Sequence, residues 1–431
     1  MILNRKHIIK SWMIVLLFAA WNSFFRFRPM ADFGKWWTLM DIFLLVLVIY
    51  LLPEIINNCR KEGISSTISL ILIMFGLSVF WSNIFWDQDA FVSFMNLCST
   101  MHGVYPLVIF VLLQKYHVPQ KEVTKAIIIL CIIYSICLFL GQLTFPNSLF
   151  GYYSKELNEI SLSAYEERGV LRLNVPGADF VILCIFGVLS WNKKKKINYI
   201  ILIPLFLILF LRGTRTPLFV ALFVGLVYLV LQFKNKLISI ALAVAFYLSL
   251  SATYELMLNS RGDSILVRYV QLTNEQIEKN NMIREDVRIG MIKYMFGEFN
   301  NDNVAAIILG NGIYAGESRY QKKMEYLQKT FQYHVVDSGF TNIFISFGIL
   351  GLILYLTLLI KVILTKVSDE CMFAKLYILY LYLIMPTNTG ILTITPFTFA
   401  LALYLVYKGS QKQYSISPDL FMRQKVTLKQ Y

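Results

Sequence analysis

Long apolar stretches separated by short polar segments recur from one end of this chain to the other. Each stretch approaches the roughly 20 residues that an α-helix needs to cross a bilayer core of about 30 Å. The pattern therefore predicts about twelve membrane-spanning helices. Their ranges are 8–25, 36–57, 64–84, 97–114, 122–143, 175–191, 197–211, 217–232, 237–257, 338–360, 375–390 and 395–407.

The connections between these helices are short, with one exception at residues 258–337. The predicted class is an all-α membrane protein, a helical bundle with one large and partly helical loop. Its parts are nine helices over 1–257, the loop over 258–337, three helices over 338–407 and a basic tail over 408–431. Within the loop, the segments 284–298 and 315–333 are predicted to form short helices.

Composition excludes an ordinary soluble protein. Hydrophobic residues make up 57% of the chain and charged residues only 15%, whereas soluble domains carry about 25% charged residues. The net charge of +14 would suggest nucleic-acid binding in a soluble chain, but cytoplasmic loops of membrane proteins also hold an excess of Lys and Arg. With both termini inside, the predicted cytoplasmic segments hold 22 Lys and Arg, including the run Lys193–Lys196, and the short outside loops hold 8. This orientation places residues 258–337 outside, and no nucleic-acid partner is expected.

The cysteines and histidines indicate neither a disulfide framework nor a metal site. None of the six cysteines falls in residues 258–337, and we expect them to be buried small apolar residues. The four histidines are scattered along the chain, and the acidic pair Asp87 and Asp89 is more typical of a solvated loop than of a metal site. We therefore predict no metal and no cofactor.

Arginines cluster in three of the predicted outside loops. They are Arg168 and Arg172 before the sixth helix, Arg212 and Arg215 between the seventh and eighth helices, and Arg284 and Arg288 in the large loop. A guanidinium binds phosphate oxygens through two donors, so these residues could hold a lipid-borne diphosphate. Alternatives stay open: lipid headgroup contact for Arg212 and Arg215, a solvated helix face for Arg284 and Arg288, and ordinary loop charge for the first pair.

The large loop ends in His334-Val-Val-Asp337-Ser-Gly, directly before the tenth predicted helix. An imidazole or a carboxylate at this place could accept a proton from an attacking hydroxyl at the membrane surface. The structural alternative for Asp337 is an N-cap of that helix, because a carboxylate bonds the free N–H groups of a first turn. The two roles can coincide.

Several short segments, taken with their order, resemble one family. Gly213-Thr-Arg215 is similar to that family's short arginine turn, and Arg288-Ile-Gly-Met to the arginine-led helix that starts its large loop. Ile308-Leu-Gly310-Asn-Gly312 resembles the glycine pair that follows, and the segments 168–176 and 337–351 resemble its polar stretches before two of the helices. With about twelve helices and one large loop in the second half, the chain resembles the O-antigen polymerase and O-antigen ligase group of bacterial polysaccharide enzymes.

The resemblance implies a glycosyltransferase-C-like helical bundle in the bacterial inner membrane, with both termini cytoplasmic. It implies a metal-independent glycosyltransferase with an undecaprenyl diphosphate glycan donor, inverting the anomeric carbon. The arginines named above would bind the diphosphate, and Asp337 or His334 would be the catalytic base. The implied partners are undecaprenyl-diphosphate-linked oligosaccharides, membrane lipids, and a chain-length regulator and a flippase of the same pathway.

The residues before the tenth helix favour a polymerase over a ligase. Ligases of this group place His-Asn eleven residues before the first glycine of Gly-x-x-Gly, whereas this chain has Asp337-Ser338 there, counted back from Gly348. The alternatives are an O-antigen ligase, which transfers glycan to the lipid A core, and a flippase for lipid-linked oligosaccharides. A flippase would place charged groups deep within its helices, where the sequence offers mainly Asp41.

Overall fold

The computed structural model describes most of the chain as helices joined by turns. The described residues are 35–94, 106–144, 177–195, 199–211, 215–232, 287–301, 303–388 and 397–411, with short stretches and single positions between 241 and 274. Within these ranges every element of regular structure is helical and none is a strand. The predicted all-α class is confirmed.

Thirteen of the helices in these ranges are used below. In chain order they are α1 (Lys35–Cys59), α2 (Ile64–Trp86), α3 (Pro106–Lys115), α4 (Gln120–Leu143), α5 (Ala178–Lys195), α6 (Leu202–Leu211), α7 (Arg215–Gln232), α8 (Val287–Gly297), α9 (Val304–Leu309), α10 (Arg319–Phe331), α11 (Gly339–Leu364), α12 (Met372–Ile384) and α13 (397–411). Three of them, α2, α4 and α11, are long and apolar enough to cross a membrane. Shorter apolar helices lie within α1, α5, α6 and α7.

The helices follow the hydrophobic pattern closely where the chain is described. The two predicted loop helices, 284–298 and 315–333, are confirmed as α8 and α10. The predicted helix 375–390 ends sooner, at Ile384, because Pro386 lacks the N–H group that would continue the helical hydrogen bonds. The predicted helix 8–25 and most of 237–257 lie outside the described residues.

One end of the bundle, called the basic end, is formed by residues 54–66, 114–118 and 361–375. Side chains join the helix ends there: the Lys361 ammonium at the end of α11 donates to the carbonyl of Gly63, just before α2, over 3.0 Å. Segments predicted to be cytoplasmic therefore lie together at this end. The antiparallel course of α2 and α11 follows directly from this contact.

The opposite end, called the cap end, holds residues 287–301 and 303–337 of the large loop, which we call the cap. The cap has an apolar core of its own, shared with the first turns of α11. Its buried members are Met291, Met295, Phe299, Tyr320, Met324, Leu327, Val335, Phe344 and Ile345. Because two of these residues belong to α11, the cap is packed onto the bundle through its core.

Candidate functional site

The segment 334–338 forms a tight turn that leads into α11. Val335 is buried in the cap core, and the 3-10 helix Val335–Asp337 begins with the Asp337 amide donating to the His334 carbonyl over 2.8 Å. This turn leaves His334 exposed and Asp337 half-buried beside the start of α11. Burial of one small apolar side chain thus fixes the position of both candidate bases.

Ser338, and not Asp337, is the N-cap of α11. The Ser338 hydroxyl accepts a hydrogen bond from the amide of Thr341 over 3.4 Å. The structural alternative for Asp337 is therefore wrong, because the side chain one position later already bonds the first turn. Among the described residues, none donates a hydrogen bond to the Asp337 carboxylate. The carboxylate is left able to accept a proton or a hydrogen bond from a bound molecule.

A second contact fixes this turn against the end of α12. The amide of Gly339 donates to the carbonyl of Met385 over 2.8 Å and to that of Asn388 over 3.0 Å. The turn that ends α12 therefore lies directly beside the segment that carries Asp337. The ends of α11 and α12 thus hold the segment of the candidate base in place.

The helix that carries Arg288 lies against the same segment. Gly290 is so close to Tyr333 that a Cβ atom on it would lie 3.0 Å from the Tyr333 hydroxyl. Arg288 is two residues before this contact and is exposed, while His334 directly follows Tyr333. The structure therefore places helix α8, which carries Arg288, against the segment that leads to His334 and Asp337 at the cap end.

The other arginines of the predicted site lie at the ends of the described segments or outside them. Arg215 is the first residue of α7, and its side chain lies outside the described part. Both the backbone and the side chains of four further arginines lie outside the described residues: Arg168, Arg172, Arg212 and Arg284. The residue before Arg212 is located: Leu211 accepts a hydrogen bond from Gln142 near the end of α4 over 3.3 Å.

The two glycine motifs of the sequence meet each other. Helix α11 is broken at Gly348, whose φ of 64° and ψ of −162° are not helical. The loop Gly310-Asn311-Gly312 inserts at this break, where the amides of Asn311 and Gly312 donate to the carbonyls of Ile345 and Ser346 over 2.8 and 3.0 Å. The loop thus satisfies carbonyls that the break would otherwise leave without partners.

Close backbone approach explains why these positions are glycines. A Cβ atom on Gly348 would lie 2.3 Å from the Ile308 carbonyl oxygen, and one on Gly312 would lie 2.3 Å from that of Ser78 in α2. Both distances are too short for any side chain. The loop 310–312 therefore touches α2 and α11 through backbone atoms, which fixes the cap on the bundle.

Asn311 is the polar centre of this junction, although no sequence pattern predicted a role for it. Its side chain is buried and accepts a hydrogen bond from the Trp86 indole at the end of α2 over 2.8 Å. Its amide group donates to the Asn300 side chain over 2.9 Å and to the Ile345 carbonyl over 3.1 Å. A buried amide with every contact to a different element is typical of a specific structural junction.

Gln88 forms a second buried junction between α2 and the cap. Its amide group donates to the Ile313 carbonyl over 2.9 Å, and its oxygen accepts from the Ala315 amide and the Ser318 hydroxyl over 3.0 and 2.8 Å. No sequence signal indicates this role, because Gln88 lies in a short polar segment between two acids.

Those two acids have structural partners. Asp87 forms an ion pair with Arg319 at the start of α10, and Asp89 accepts a hydrogen bond from the Val92 amide over 2.9 Å. Among the described residues, no group of three or more His, Cys, Asp and Glu side chains could hold a metal ion. The acidic pair therefore joins and caps helices.

Lys323 is a third residue whose role no sequence pattern predicted. Its ammonium donates to the Phe299 carbonyl over 2.8 Å and lies 4.2 Å from the centre of the Phe299 ring and 5.3 Å from that of Trp86. Burial lowers the pKa of Lys323. The lysine joins α10 to the junction around Trp86 through a hydrogen bond and two cation–π contacts.

Asp179 is a buried acid inside the helical bundle that was likewise not predicted as a functional residue. It is the second residue of α5 and is 3% exposed. Its carboxylate lies beside the Tyr377 hydroxyl of α12, which is 2.6 Å from the Thr398 hydroxyl of α13. One acid in the apolar run 175–191 was the signal for it. Asp41 lies within α1, and its side chain lies outside the described part.

Comparisons with known proteins do not identify a family for this chain. No protein-family model matches the chain, and no curated protein matches it. The functional conclusion therefore depends on the site geometry together with the motifs of the sequence.

Proposed function

We propose that this protein is an O-antigen polymerase, which joins oligosaccharide repeat units carried on undecaprenyl diphosphate. In this proposal the chain crosses the bacterial inner membrane about twelve times, both termini are cytoplasmic, and the cap faces the periplasm. The basic end then faces the cytoplasm, in agreement with the excess of Lys and Arg in the segments predicted to lie there.

One observation carries the proposal. The segment His334–Asp337 and the Arg288-bearing helix α8 are held together at one end of the bundle, above the broken helix α11. A base and a guanidinium in one neighbourhood suit a glycosyl transfer from a lipid diphosphate, which needs proton removal from one substrate and charge stabilisation on the other.

The reaction would follow from these groups. The Asp337 carboxylate removes the proton of a sugar hydroxyl, and the hydroxyl oxygen forms a bond to the anomeric carbon of the donor glycan. The bond between that carbon and the diphosphate oxygen breaks, and undecaprenyl diphosphate leaves with the electron pair. Arg288, with Arg215, Arg212 or Arg284, would stabilise the negative charge that develops on the leaving oxygens. A single displacement inverts the anomeric carbon.

A transporter for lipid-linked oligosaccharides is the second candidate, and Asp179 favours it. A buried carboxylate in a membrane helix is costly and usually marks an ion, proton or substrate pathway. The Tyr377 hydroxyl beside it, itself bonded to Thr398, reduces that cost and also supplies a structural reason for the acid.

The lipopolysaccharide of a strain that lacks the gene separates the candidates. Loss of a polymerase leaves a single O-unit on the lipid A core, because a separate ligase still transfers the unpolymerised unit. Loss of a ligase leaves a bare core with long polymer stored on the carrier, and loss of a flippase leaves a bare core with single units on the carrier. Either bare-core result would contradict the polymerase proposal.

A further inference from the structure

Three aromatic rings form a continuous chain of contacts on the outside of the cap. They belong to Tyr326, Phe331 and Tyr333, and we call them the aromatic strip. The ring centres of Tyr326 and Phe331 are 6.0 Å apart, and those of Phe331 and Tyr333 are 5.5 Å apart. Tyr326 is 59% exposed and Phe331 is 46% exposed. The strip therefore presents ring surface to the surroundings.

Packing of the cap does not account for these exposed rings. Helix α10 already fills the cap core with Tyr320, Met324 and Leu327, which are buried. Tyr326 and Phe331 lie outside that face, where a helix of a soluble cap ordinarily carries polar side chains. Exposed rings in contact with one another are typical of a surface that binds something.

The surroundings of the strip supply polar groups that suit a sugar ligand. Tyr326 lies on α10 next to Glu325, which accepts a hydrogen bond from Gln321 over 2.9 Å and pairs with Lys329 over 3.5 Å. Lys322 is exposed on the same helix. A sugar with its hydroxyls would find hydrogen-bonding partners in these groups, which border the rings on the same turns.

The strip leads directly to the candidate base. Tyr333, its last member, is covalently next to His334, and its hydroxyl lies against Gly290 near Arg288. A sugar whose hydroxyl reaches Asp337 would therefore have its linked sugars close to Tyr333 and Phe331. Pyranose rings have faces of C–H groups with partial positive charge, which suit the negative face of an aromatic ring.

We infer that the aromatic strip binds the sugar residues of the acceptor oligosaccharide by stacking. This inference depends on the proposed polymerase function and adds the site of the acceptor to it. Stacking holds the acceptor chain while leaving Asp337 free to take its proton. Without the strip, the chemistry of the site is unchanged but the acceptor binds more weakly.

The test replaces both exposed rings by leucine, in the variant Tyr326→Leu with Phe331→Leu. Leucine keeps an apolar surface for lipid but offers no flat ring. In proteoliposomes supplied with the lipid-linked repeat unit, the KM should rise about tenfold, because each ring contact contributes about threefold, while kcat should change little. In cells, the lipopolysaccharide ladder should shift to shorter chains.

Two controls accompany this variant. The ring-retaining swap, Tyr326→Phe with Phe331→Tyr, should keep a normal KM and ladder. Phe91→Leu removes another ring at the cap end, 70% exposed and outside the strip, and should also change nothing. If the double leucine variant is absent from membranes on an immunoblot, the two single variants are measured in its place.

The outcomes separate the two proposals. If the wild-type protein is active and the leucine variant has a normal KM and ladder, the acceptor-binding role of the strip is wrong and its rings are assigned to lipid contact. The proposed function is not affected by that result. A wild-type protein that does not join repeat units would overturn the proposed function itself. A fall in kcat with unchanged KM would also contradict acceptor stacking.

Discussion

The two ends of the bundle are held together by different means. At the basic end, side chains bridge the helices: Asn58 donates to Gln114 over 3.0 Å, and Lys115 pairs with Glu54 over 2.6 Å. At the cap end, the buried side-chain bonds of Asn311 and Gln88 are joined by contacts of backbone on backbone, at Gly310-Asn311-Gly312 and Gly348. Flexible side chains can adjust to a change, but backbone atoms in contact cannot. We conclude that the cap end is the end whose geometry is fixed.

The largest effect is expected from Gly312→Ala. The new Cβ would meet the Ser78 carbonyl at 2.3 Å, and the φ of 72° disfavours any side chain. Left-handed backbone and overpacking together cost about 2–5 kcal/mol. The unfolding temperature of the detergent-solubilised protein should fall sharply, or the variant should be lost from membranes.

A matched control for this substitution lies in α2, the helix that Gly312 touches. Gly76 belongs to this helix, but a Cβ atom added to it would meet no neighbouring atom within 4 Å. Gly76→Ala should raise stability by about 0.5–1 kcal/mol, because alanine suits a helix interior. Equal effects of the two substitutions would contradict the backbone junction.

The next effect in size concerns the buried amides. Asn311→Ala leaves the Trp86 indole N–H buried without its acceptor, at a cost of about 1–3 kcal/mol. At the basic end, Asn58→Ala removes bonds to Gln114 and to Lys61. Lys61 is exposed and can bond water instead, but the buried Gln114 oxygen is left without its donor. This loss should be about 1–2 kcal/mol, smaller than at Asn311 because Asn311 makes three such bonds. Thermal unfolding of both variants checks the difference, and a larger loss from Asn58→Ala would reverse our comparison.

Some of this architecture could be predicted from the sequence, because the helices depend on patterns among residues that are close together in the chain. Apolar runs predicted the helices, and the charge pattern of 284–298 and 315–333 predicted α8 and α10. The glycine motifs were recognised as segments, but their contact with each other was not. The Trp86–Asn311 bond joins residues 225 positions apart, and no periodicity within a helix indicates such a pairing. Buried junctions of this kind depend on tertiary structure alone.

The candidate site was predicted in part for the same reason. The segment before α11 was identified from its polar residues, since ionisable groups at a membrane surface are conspicuous. The alternative that Asp337 caps this helix is wrong, because Ser338 performs that role. One position of difference cannot be read from composition. Asp179 was missed since a single acid interrupts the apolar run 175–191 only briefly.

A smaller effect is expected in the pH dependence of stability. Burial lowers the pKa of Lys323, so the folded protein binds this proton less tightly than the unfolded chain does. Unfolding then takes up a proton, and stability should rise as the pH rises toward 10.5, the ordinary value. Lys323→Met should remove this slope, whereas Lys322→Met, at an exposed position of the same helix, should retain it. Unfolding temperatures across that pH range provide the measurement.

The smallest effect is expected from the ion pair on the surface of the cap end. Arg319 and Asp87 have side chains that are 71% and 80% exposed, and exposed pairs contribute about 0.2–1 kcal/mol. Lys115 and Glu54, at the basic end, are 25% and 31% exposed, so their coupling should be larger. Double-mutant cycles with alanine at each pair give both energies, and a larger coupling for Arg319 and Asp87 would show that this exposed pair also helps to fix the cap.

The central claim is that the cap end positions Asp337 for glycosyl transfer. The lipopolysaccharide ladder of the variant Asp337→Asn tests it most directly. The amide keeps the shape of the side chain but cannot accept the proton. Asp369→Asn is the matched control, because Asp369 lies in the corresponding 3-10 turn before α12, at the basic end. We predict single O-units from Asp337→Asn and a normal ladder from Asp369→Asn. A normal ladder from Asp337→Asn, at normal amounts of protein, would contradict the claim.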